Sequence, residues 1–286
     1  MKLTEISTIK ALCTQFGFGF KKKFGQNFLT TAEVPERIAE NAEGICALEI
    51  GPGFGTLTAE LCKVAEKVVA LEIDTSLAPV LETTVGEYKN LKVIFKDAMT
   101  IDLAELCREE FGDKEIAVCA NLPYYITTPI LMALLESGLP FEYITIMIQS
   151  EVADRLCAKA GSKEYGAITA VLKYYGEAEK LFKVSAGNFI PAPKVDSTVV
   201  RIRLHKQKPY TPKDEETLFK TIRAAFEQRR KTLPNALSAG FPEIPKETLT
   251  ALIEECGHRP DIRGERLDIA DFVALADKIF EMKCQA

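Results

Sequence analysis

Residues that build metal sites and disulfide frames are scarce or scattered in this sequence. It contains two histidines, His205 and His258, which do not stand at a zinc-ligand spacing. Its eight cysteines form no C-x-x-C pair, and several lie within apolar runs, as in Val118-Cys119-Ala120. Buried, reduced thiols in a cytosolic protein fit this distribution better than disulfide bonds do. We therefore expect no metal site, no disulfide frame and a cytoplasmic location.

A long apolar run is missing as well. No segment approaches the roughly 20 residues that cross a bilayer, and residues 1–10 lack the apolar core of a signal peptide. With 286 residues, of which 47% are hydrophobic and 27% charged, the chain is long enough for an α/β domain and a small appendage. We expect no membrane contact. The sequence leaves the oligomeric state open, and we assume a monomer.

The sequence also lacks an overall excess of positive charge. Its formal net charge of −5 argues weakly against binding to nucleic acid. The cations are clustered, however, and interleaved with Phe and Tyr. A single cluster is more often a solvated face or a helix C-terminus, whereas four of them favour a local RNA-binding surface. The clusters are Lys21, Lys22 and Lys23; Arg201, Arg203, Lys206 and Lys208; Arg229, Arg230 and Lys231; and Arg259, Arg263 and Arg266.

Short β-branched runs alternate with helical patterns from about residue 45 to 205. Runs that are apolar on both faces and separated by helices are typical of a parallel sheet covered by helices. Two later runs, 179–184 and 197–204, have no helix between them, and we expect them to pair antiparallel at one edge. This is the usual layout of an α/β, Rossmann-like class I methyltransferase sheet. The five buried strands are predicted at 45–50, 68–73, 93–95, 116–120 and 143–148.

The pattern changes after Lys208-Pro209. Leu218, Ile222 and Phe226 follow one another at helical spacing, and further helical segments lie near 246–255 and 267–282. No strand-like run is present. We therefore predict a first domain over residues 1–208 and a small, all-helical domain over 209–286, joined by a short linker that contains proline.

Glycine-rich and acidic residues follow the predicted strands, at the edge where open α/β sheets bind ligands. The first strand runs into Gly51-Pro52-Gly53-Phe54-Gly55, a turn whose glycines let the backbone approach a ligand closely. Glu72 ends the second strand, 21 positions after Gly51, where a carboxylate can accept both hydroxyls of a ribose. Together these features indicate a cofactor that contains a nucleoside.

Two residues near this turn distinguish between nucleoside cofactors. The dinucleotide fingerprint has Gly or Ala at its sixth position, where this sequence has Thr56. Pro52 removes a backbone N–H that could bind a pyrophosphate. S-adenosylmethionine carries ribose and adenine but no phosphate, and therefore suits the turn better than NAD does. Asp97, after the third strand, could accept from the adenine amine of this cofactor, with Ala98 beside it.

The fourth strand is followed by Asn121-Leu122-Pro123-Tyr124, a pattern that suits methyl transfer to an aromatic amine. Such an amine is a poor nucleophile because its lone pair is delocalised into the ring. The Asn121 side-chain oxygen and the Leu122 carbonyl, presented by the extended geometry before Pro123, could accept its N–H groups and favour a pyramidal nitrogen. Tyr124 would stack on the flipped base. The tetrapeptide alone could be an ordinary strand-to-helix turn, but its place after the other motifs favours catalysis.

In this order the motifs resemble the KsgA-type family of ribosomal-RNA adenine dimethyltransferases over residues 24–267. Gly25-Gln26-Asn27-Phe28-Leu29 is similar to the family's first motif, whose Asn and Leu contact the cofactor. Residues 189–197 resemble a late loop of the family, in which Phe189 would give the target adenine a second stacking face. The alternative for Phe189 is a core aromatic residue before a proline turn. Tyr125 stands where many relatives have Asn, and we expect little consequence.

The resemblance implies N6,N6-dimethylation of two adjacent adenines near the 3′ end of small-subunit (16S) ribosomal RNA, within a maturing 30S-type particle. Residues 1–208 would bind S-adenosylmethionine and carry catalysis, and 209–286 would bind RNA. The implied cofactor-binding residues are Gln26, Asn27, Leu29, Gly51, Gly53, Glu72, Ile73, Asp97, Ala98 and Asn121, and the catalytic ones are Asn121, Leu122, Pro123, Tyr124 and Phe189. We predict RNA contacts at Lys21, Lys22, Lys23, Arg223, Arg229, Arg230 and Lys231.

Other hypotheses stay open beside this one. Enzymes that methylate large-subunit RNA and confer macrolide resistance share the cofactor motifs, although residues 223–237 and 259–267 resemble the small-subunit family more closely. A ribosome assembly factor that acts mainly by binding is a second alternative, against which the intact Asn-Leu-Pro-Tyr motif argues. A nicotinamide-dependent oxidoreductase is disfavoured by Thr56. The amine chemistry alone also permits DNA as the substrate.

Overall fold

The computed structural model of the protein describes residues 1–19 and 27–285. The chain divides into two compact units. The first comprises Met1–Ala153 and Glu179–Leu204, and the second comprises Asp154–Ala178 and His205–Ala286. The sequence analysis assigns residues 1–208 to one domain. In the structure, Asp154–Ala178 and residues 205–208 belong to the helical unit instead.

A seven-stranded sheet is the main feature of the first unit, which also contains a separate two-stranded sheet. In chain order the strands of the structure are β1 (Phe28–Leu29), β2 (Cys46–Ile50), β3 (Val68–Glu72), β4 (Leu91–Phe95), β5 (Ile116–Asn121), β6 (Tyr143–Gln149), β7 (Gly176–Val184), β8 (Phe189–Ile190) and β9 (Ser197–Leu204). The large sheet has the order β4-β3-β2-β5-β6-β9-β7. Neighbours from β4 to β6 are parallel, whereas β9 runs antiparallel to β6. The predicted Rossmann-like sheet is confirmed, with β7 at the edge beside β9.

Burial on both faces explains the continuous apolar runs of the central strands. Every residue of β2 and β3 is buried, which is the expected condition of parallel strands covered by helices. Ala47 of β2 and Ala117 of β5 belong to one apolar cluster with Leu57 and Leu61. Apolar side chains therefore hold most of each strand in place, and most of the polar groups of the cleft lie at the strand ends.

Helices connect the strands of the sheet and form most of the second unit. No helix in the described part of the chain has the length and apolar character that a bilayer crossing requires. The α-helices are α1 (Ile6–Gln15), α2 (Glu33–Ala39), α3 (Thr56–Val64), α4 (Ala78–Val85), α5 (Leu103–Phe111), α6 (Thr127–Glu136), α7 (Ser150–Leu156), α8 (Ala167–Tyr175), α9 (Glu215–Glu227), α10 (Leu233–Gly240), α11 (Lys246–Glu255) and α12 (Ile269–Gln285).

The sequence pattern does not predict two features of the structure. The first is a separate two-stranded sheet, in which β1 pairs antiparallel with β8 so that Phe28 lies opposite Ile190 and Leu29 opposite Phe189. The second is the pair α7 and α8, which precedes β7. The small sheet joins two segments that carry motifs and are about 160 positions apart, and it thereby helps to build the cleft described below.

The second unit has its own apolar core, to which all of the helices from α8 to α12 contribute. Tyr174 of α8 is completely buried in the same cluster as Leu218 and Phe272. Its hydroxyl donates to Glu215 Oε1 at 2.6 Å, so its polar end is also satisfied. These contacts explain why α8 joins the helical unit although it lies between strands of the sheet in sequence.

Helix α9 depends on an acidic N-cap, which gives a test of the second unit. The carboxylate of Asp214 accepts the Thr217 N–H at 2.7 Å. Hydrogen bonds from the Thr217 side chain and backbone hold the pKa of Asp214 below its ordinary value. Asp214→Ala should lower the free energy of unfolding by about 1 kcal/mol, measured by urea denaturation.

The charged form of Asp214 is the stabilising one, so its contribution should be present at neutral pH and lost as the pH falls through its lowered pKa. Asp214→Asn, which keeps a side-chain oxygen, should be milder than Asp214→Ala at pH 7. Equal stability of the alanine variant and the wild type at pH 7 would contradict this role of the cap.

Candidate active site

A cleft opens at the carboxyl ends of β2, β3, β4 and β5, with about 1130 Å³ of empty space including its open mouth. Because parallel strands end at one edge of the sheet, motifs that are far apart in sequence meet there. Gln26 and the predicted RNA contacts Lys21, Lys22 and Lys23 lie outside the described residues. The cleft brings together the remaining residues predicted for the cofactor and for catalysis: Asn27, Leu29, Gly51, Gly53, Glu72, Ile73, Asp97, Ala98, Asn121, Leu122, Pro123, Tyr124 and Phe189.

The glycine turn after β2 is tightly packed against two parts of the first unit. Gly53 and Gly55 both have positive φ, at 58° and 83°, which side chains rarely adopt. A Cβ on Gly53 would lie 3.3 Å from the Phe28 ring, and one on Gly55 would lie 2.8 Å from Val85. The sequence Gly-Pro-Gly-Phe-Gly therefore lets α3 begin directly at the cleft, with the backbone of the turn exposed to a ligand.

Glu72, at the end of β3, holds this turn by its carboxylate. Its Oε2 accepts the Gly53 N–H at 3.2 Å, and its Oε1 accepts the Asp74 N–H at 2.8 Å. The side chain is only 5% exposed. Burial raises the pKa of Glu72, and the hydrogen bonds from the Asp74 and Gly53 amides oppose that rise. An ionised carboxylate has about four acceptor positions, so positions remain for two ligand hydroxyls.

Next to Glu72 the cleft has an apolar and a polar feature suited to a flat, polar ring. Ile73 is 48% exposed although it is a large aliphatic residue, and it lines the cleft. Asp97 follows β4 and accepts the Met99 N–H at Oδ1 at 2.9 Å, which fixes the turn that carries Ala98. The apolar surface of Ile73 can cover a base, and the carboxylate of Asp97 can accept a hydrogen bond from the amine of that base.

Asn121 ends β5 and presents an acceptor to the cleft. Its Nδ2 donates to the Asn27 carbonyl at 3.4 Å, which orients the amide so that the side-chain oxygen accepts no hydrogen bond from a described residue. After Leu122, the Pro123 carbonyl accepts the Ile126 N–H at 3.1 Å and the Thr127 hydroxyl at 3.2 Å. These bonds close the turn into α6 and keep the tetrapeptide in one conformation.

The ring of Tyr124 is anchored at its hydroxyl. The phenol oxygen and Ser197 Oγ are 2.9 Å apart and share a hydrogen bond. Burial raises the pKa of Tyr124, which keeps the phenol neutral at physiological pH, and the bond to Ser197 partly opposes the shift. Because Ser197 begins β9, the hydroxyl of Tyr124 is tied to that strand while the residue lines the cleft.

The structure places Phe189 both in the apolar core and at the wall of the cleft. It is 5% exposed and belongs to the apolar cluster that contains Leu29 and Val34. It nevertheless lines the cleft, because β8 pairs with β1 at this point. Phe189 is thus a core aromatic residue with one part of its ring on the cleft wall, and its role as a stacking face remains a prediction.

The cleft also contains residues to which the sequence analysis assigns no role. The rings of Phe28 and Phe54 pack with centroids 4.1 Å apart beneath the turn. Glu49 of β2 is buried and lines the cleft. The available signal in the sequence is a carboxylate within an otherwise apolar strand. Further lining residues are Thr56, Lys96, Tyr125, Ile126 and Ile130.

In the second unit the predicted RNA contacts fall into two groups. Arg229 Nε pairs with Glu265 Oε2 at 2.9 Å, and its NH2 donates to the Lys163 carbonyl. Arg229 therefore braces two loops of this unit. Arg223, Arg230 and Lys231 are exposed, and none of them forms an ion pair with another described residue, so their charges are available to a ligand.

Comparisons with known proteins agree with this geometry. The family model for ribosomal RNA adenine dimethylase matches residues 17–278. A relative from Lachnoclostridium phytofermentans named ribosomal RNA small subunit methyltransferase A is 47% identical over 280 residues, which cover 96% of each chain. A dimethyladenosine transferase from Plasmodium falciparum has a TM-score of 0.73 at 25% identity, covering 90% of this chain and 98% of its own. A 23S rRNA methyltransferase, ErmE, has a TM-score of 0.67 at 25% identity, covering 88% and 99%. This chain belongs to the ribosomal RNA adenine dimethylase family.

Proposed function

We propose that the protein transfers methyl groups from S-adenosylmethionine to N6 of two adjacent adenines near the 3′ end of 16S ribosomal RNA. The observation that carries this proposal is the open acceptor of Asn121 at the end of β5, beside an anchored aromatic ring. The Asn121 oxygen can accept a hydrogen bond from an adenine amine, and the aromatic ring can stack on the adenine base. The name of the 47% identical relative, which this chain matches over nearly its full length, supports the small ribosomal subunit as the source of the RNA.

The cleft has the features that S-adenosylmethionine would need. Glu72 keeps acceptor positions for two ribose hydroxyls, Ile73 gives a base an apolar surface, and Asp97 can accept from an adenine amine. The glycine turn would pass close to the amino-acid end of the cofactor. Since Pro52 has no N–H and Thr56 replaces the third glycine, the turn is poorly suited to a pyrophosphate.

Catalysis by this chain consists of orienting the amine. The cofactor supplies a methyl group on a positively charged sulfur, so that an N–C bond forms as the S–C bond breaks. The Asn121 oxygen and the Leu122 carbonyl accept the two amine N–H groups, which favours a pyramidal nitrogen with its lone pair directed at the methyl group. The Tyr124 ring, held by Ser197, covers the base. The amine proton leaves to water, and no general base is required.

A second transfer to the same nitrogen is compatible with this arrangement. After the first transfer the amine retains one N–H, and one of the two acceptors is enough to orient it. Rotation about the C6–N6 bond exchanges the positions of the methyl group and the hydrogen. The two acceptors thus provide a physical basis for dimethylation at one site.

We assign RNA binding to basic residues on both parts of the chain. Without 154–178 and 205–208, the predicted catalytic domain, 1–208, then corresponds to the first unit, and the predicted RNA-binding domain, 209–286, lies within the second unit. The support in the second unit is the set of exposed cations Arg223, Arg230 and Lys231, which pair with no described residue. We place the substrate in a maturing 30S-type particle, the enzyme in the cytoplasm, and the protein in a monomeric state. Since the chain has a net charge of −5, its RNA contacts have to be local.

The large-subunit enzymes remain the second candidate because the fold is shared. ErmE matches this chain over 88% of its length. Its identity of 25% is about half that of the small-subunit relative. The higher identity, together with the basic segment from Arg223 to Lys231, favours small-subunit RNA.

Binding of the cofactor should depend on Glu72. Glu72→Ala removes the acceptor for the ribose hydroxyls and should weaken S-adenosylmethionine binding by about 1–3 kcal/mol, measured by titration calorimetry. Glu87→Ala, which removes an exposed carboxylate of the same unit, is the control and should bind normally. Tighter binding of NAD than of S-adenosylmethionine to the wild type would overturn the cofactor assignment.

Methyl transfer should depend on the oxygen of Asn121. Asn121→Ala should lower turnover on the order of 100-fold, because the variant cannot form a hydrogen bond that strengthens in the transition state. Affinity for S-adenosylmethionine should change much less. Asn121→Asp retains an oxygen acceptor and should keep more activity than the alanine variant. Near wild-type turnover by Asn121→Ala would show that this motif does not orient the amine.

RNA binding should depend on the exposed cations after α9. Reversing Arg230 and Lys231 to Glu should weaken RNA binding and flatten its dependence on salt, by about one unit of slope for each phosphate that the variant no longer neutralises. S-adenosylmethionine binding should not change. Reversal of Lys10 and Lys89, two exposed lysines of the first unit, alters the net charge equally and is the control.

The competing role for Arg230 and Lys231 is stabilisation of the turn between α9 and α10. Under that role the double reversal lowers the melting temperature and leaves the RNA affinity of the folded protein intact. Both quantities are measured on one variant, by thermal unfolding and by fluorescence anisotropy with labelled RNA. Unchanged RNA affinity would exclude the proposed contact.

A further inference from the structure

Tyr125 exposes an aromatic ring in the cleft that methyl transfer itself does not use. The residue is 59% exposed and lines the cleft directly after Tyr124. Its side chain makes no hydrogen bond and no ring contact with another described residue. A single apolar residue on an open protein surface needs no explanation. A free ring inside a substrate cleft, however, offers a face to a ligand, although the sequence analysis expects little consequence from this residue.

Exposed apolar side chains line the cleft on both sides of the central strand β2. Among the large hydrophobic residues that the structure describes as exposed, only Ile73 and Tyr125 line it. Ile73 follows β3, on the side where Glu72 is proposed to bind the ribose of the cofactor. Tyr125 follows β5, on the side of Asn121. The free ring of Tyr125 therefore lies on the side of the RNA target and away from the nucleoside of the cofactor.

The backbone that carries Tyr125 is held in place without RNA. The Pro123 carbonyl accepts the Ile126 N–H at 3.1 Å and the Thr127 hydroxyl at 3.2 Å, so hydrogen bonds close the turn around Tyr125. A Tyr side chain has two torsions to fix, and ordering it on a ligand costs little conformational entropy. The ring is thus preorganised for stacking, which favours affinity.

A free cation near the same part of the cleft favours nucleic acid as the occupant. Lys194 is exposed and makes no ion pair with another described residue. It lies three positions before Ser197, whose hydroxyl is hydrogen-bonded to that of Tyr124. Three residues of extended chain span at most about 11 Å, which limits the distance between the Cα atoms of Lys194 and Ser197. Aromatic faces for bases, together with cations for phosphates, are the features of sites that bind single strands.

We propose that Tyr125 stacks on the base of the nucleotide next to the flipped adenine and so holds the RNA strand open at the target, a proposal that rests on the proposed function. Consecutive Cα atoms are about 3.8 Å apart. When the target adenine covers Tyr124, the next nucleotide of the strand therefore reaches Tyr125. Where two adenines are adjacent, one stacks on Tyr125 while the other accepts the methyl group.

Binding of synthetic RNA tests this contact without methyl transfer. Each RNA carries one target adenine, and the nucleotide on its 5′ or its 3′ side is either intact or abasic. Dissociation constants are measured by fluorescence anisotropy with S-adenosylhomocysteine present, at a salt concentration that suppresses non-specific binding. The wild type should bind the intact RNA about tenfold more tightly than one of the two abasic RNAs. That abasic RNA identifies the side on which the stacked nucleotide lies.

Variants of Tyr125 separate stacking from other roles of the side chain. Tyr125→Ala should weaken binding of the intact RNA about tenfold and change binding of the identified abasic RNA less than about twofold, because the base that it would contact is already missing. Tyr125→Phe should bind as the wild type does. Tyr125→Leu, which is apolar but not aromatic, should resemble the alanine variant.

Ile6→Ala is the matched control, since Ile6 is 48% exposed in the same unit and does not line the cleft. It should bind every RNA normally. Melting temperature and affinity for S-adenosylhomocysteine without RNA should be unchanged in all four variants. On 30S-type particles that lack the modification, kcat/KM for methyl transfer should fall about tenfold in Tyr125→Ala and remain near the wild-type value in Tyr125→Phe.

The outcomes separate this proposal from the function on which it rests. Equal affinity of the wild type for the intact RNA and both abasic RNAs would overturn the contact, as would an equal loss by Tyr125→Ala on all three. In either case, methylation of the particles by the wild type would leave the proposed function intact. A loss of S-adenosylhomocysteine affinity in Tyr125→Ala as large as its loss of RNA affinity would place the ring at the cofactor and overturn the proposal. Failure of the wild type to methylate adenine in the particles would overturn both.

Discussion

The hydrogen bond from the Gly53 N–H to the Glu72 carboxylate joins the turn after β2 to the end of β3. It keeps a buried acid in place with acceptor positions still open, and it fixes the glycine turn against the adjacent strand. The arrangement depends on the parallel sheet, which brings both strand ends to one edge. The same edge carries Asp97 and Asn121, so this constraint brings the residues proposed to bind the nucleoside and the target amine to the ends of four neighbouring strands.

Much of the sheet and many residues of the candidate site could be predicted from the sequence, and the physical reasons differ between the two. The strands are apolar on both faces because helices cover them, and such runs are visible without a structure. The strand-end motifs are visible because an acid or an amide that ends an apolar run, as Glu72 and Asn121 do, serves no packing purpose. What these residues bind remains a prediction, although the structure brings them together in one cleft.

The structural features that the sequence does not predict depend on contacts between distant parts of the chain, which local patterns do not encode. The strands β1 and β8 have two residues each and exist only because they pair with each other. Helix α8 joins the helical unit through Tyr174 and Glu215, which lie 41 positions apart. Arg229 carries the same charge as Arg230, but only the structure shows that it is paired with Glu265. The exposure of the Tyr125 ring in the cleft likewise depends on its tertiary surroundings.

The central claim is that this cleft dimethylates adenine in small-subunit RNA. Its most direct test is mass spectrometry of nuclease-digested RNA after 30S-type particles that lack the modification are incubated with the protein and isotopically labelled S-adenosylmethionine. The account predicts labelled N6,N6-dimethyladenosine at two adjacent positions near the 3′ end of 16S RNA, and none in 23S RNA treated in parallel. Label in 23S RNA alone, or no labelled adenine in either RNA, would contradict it.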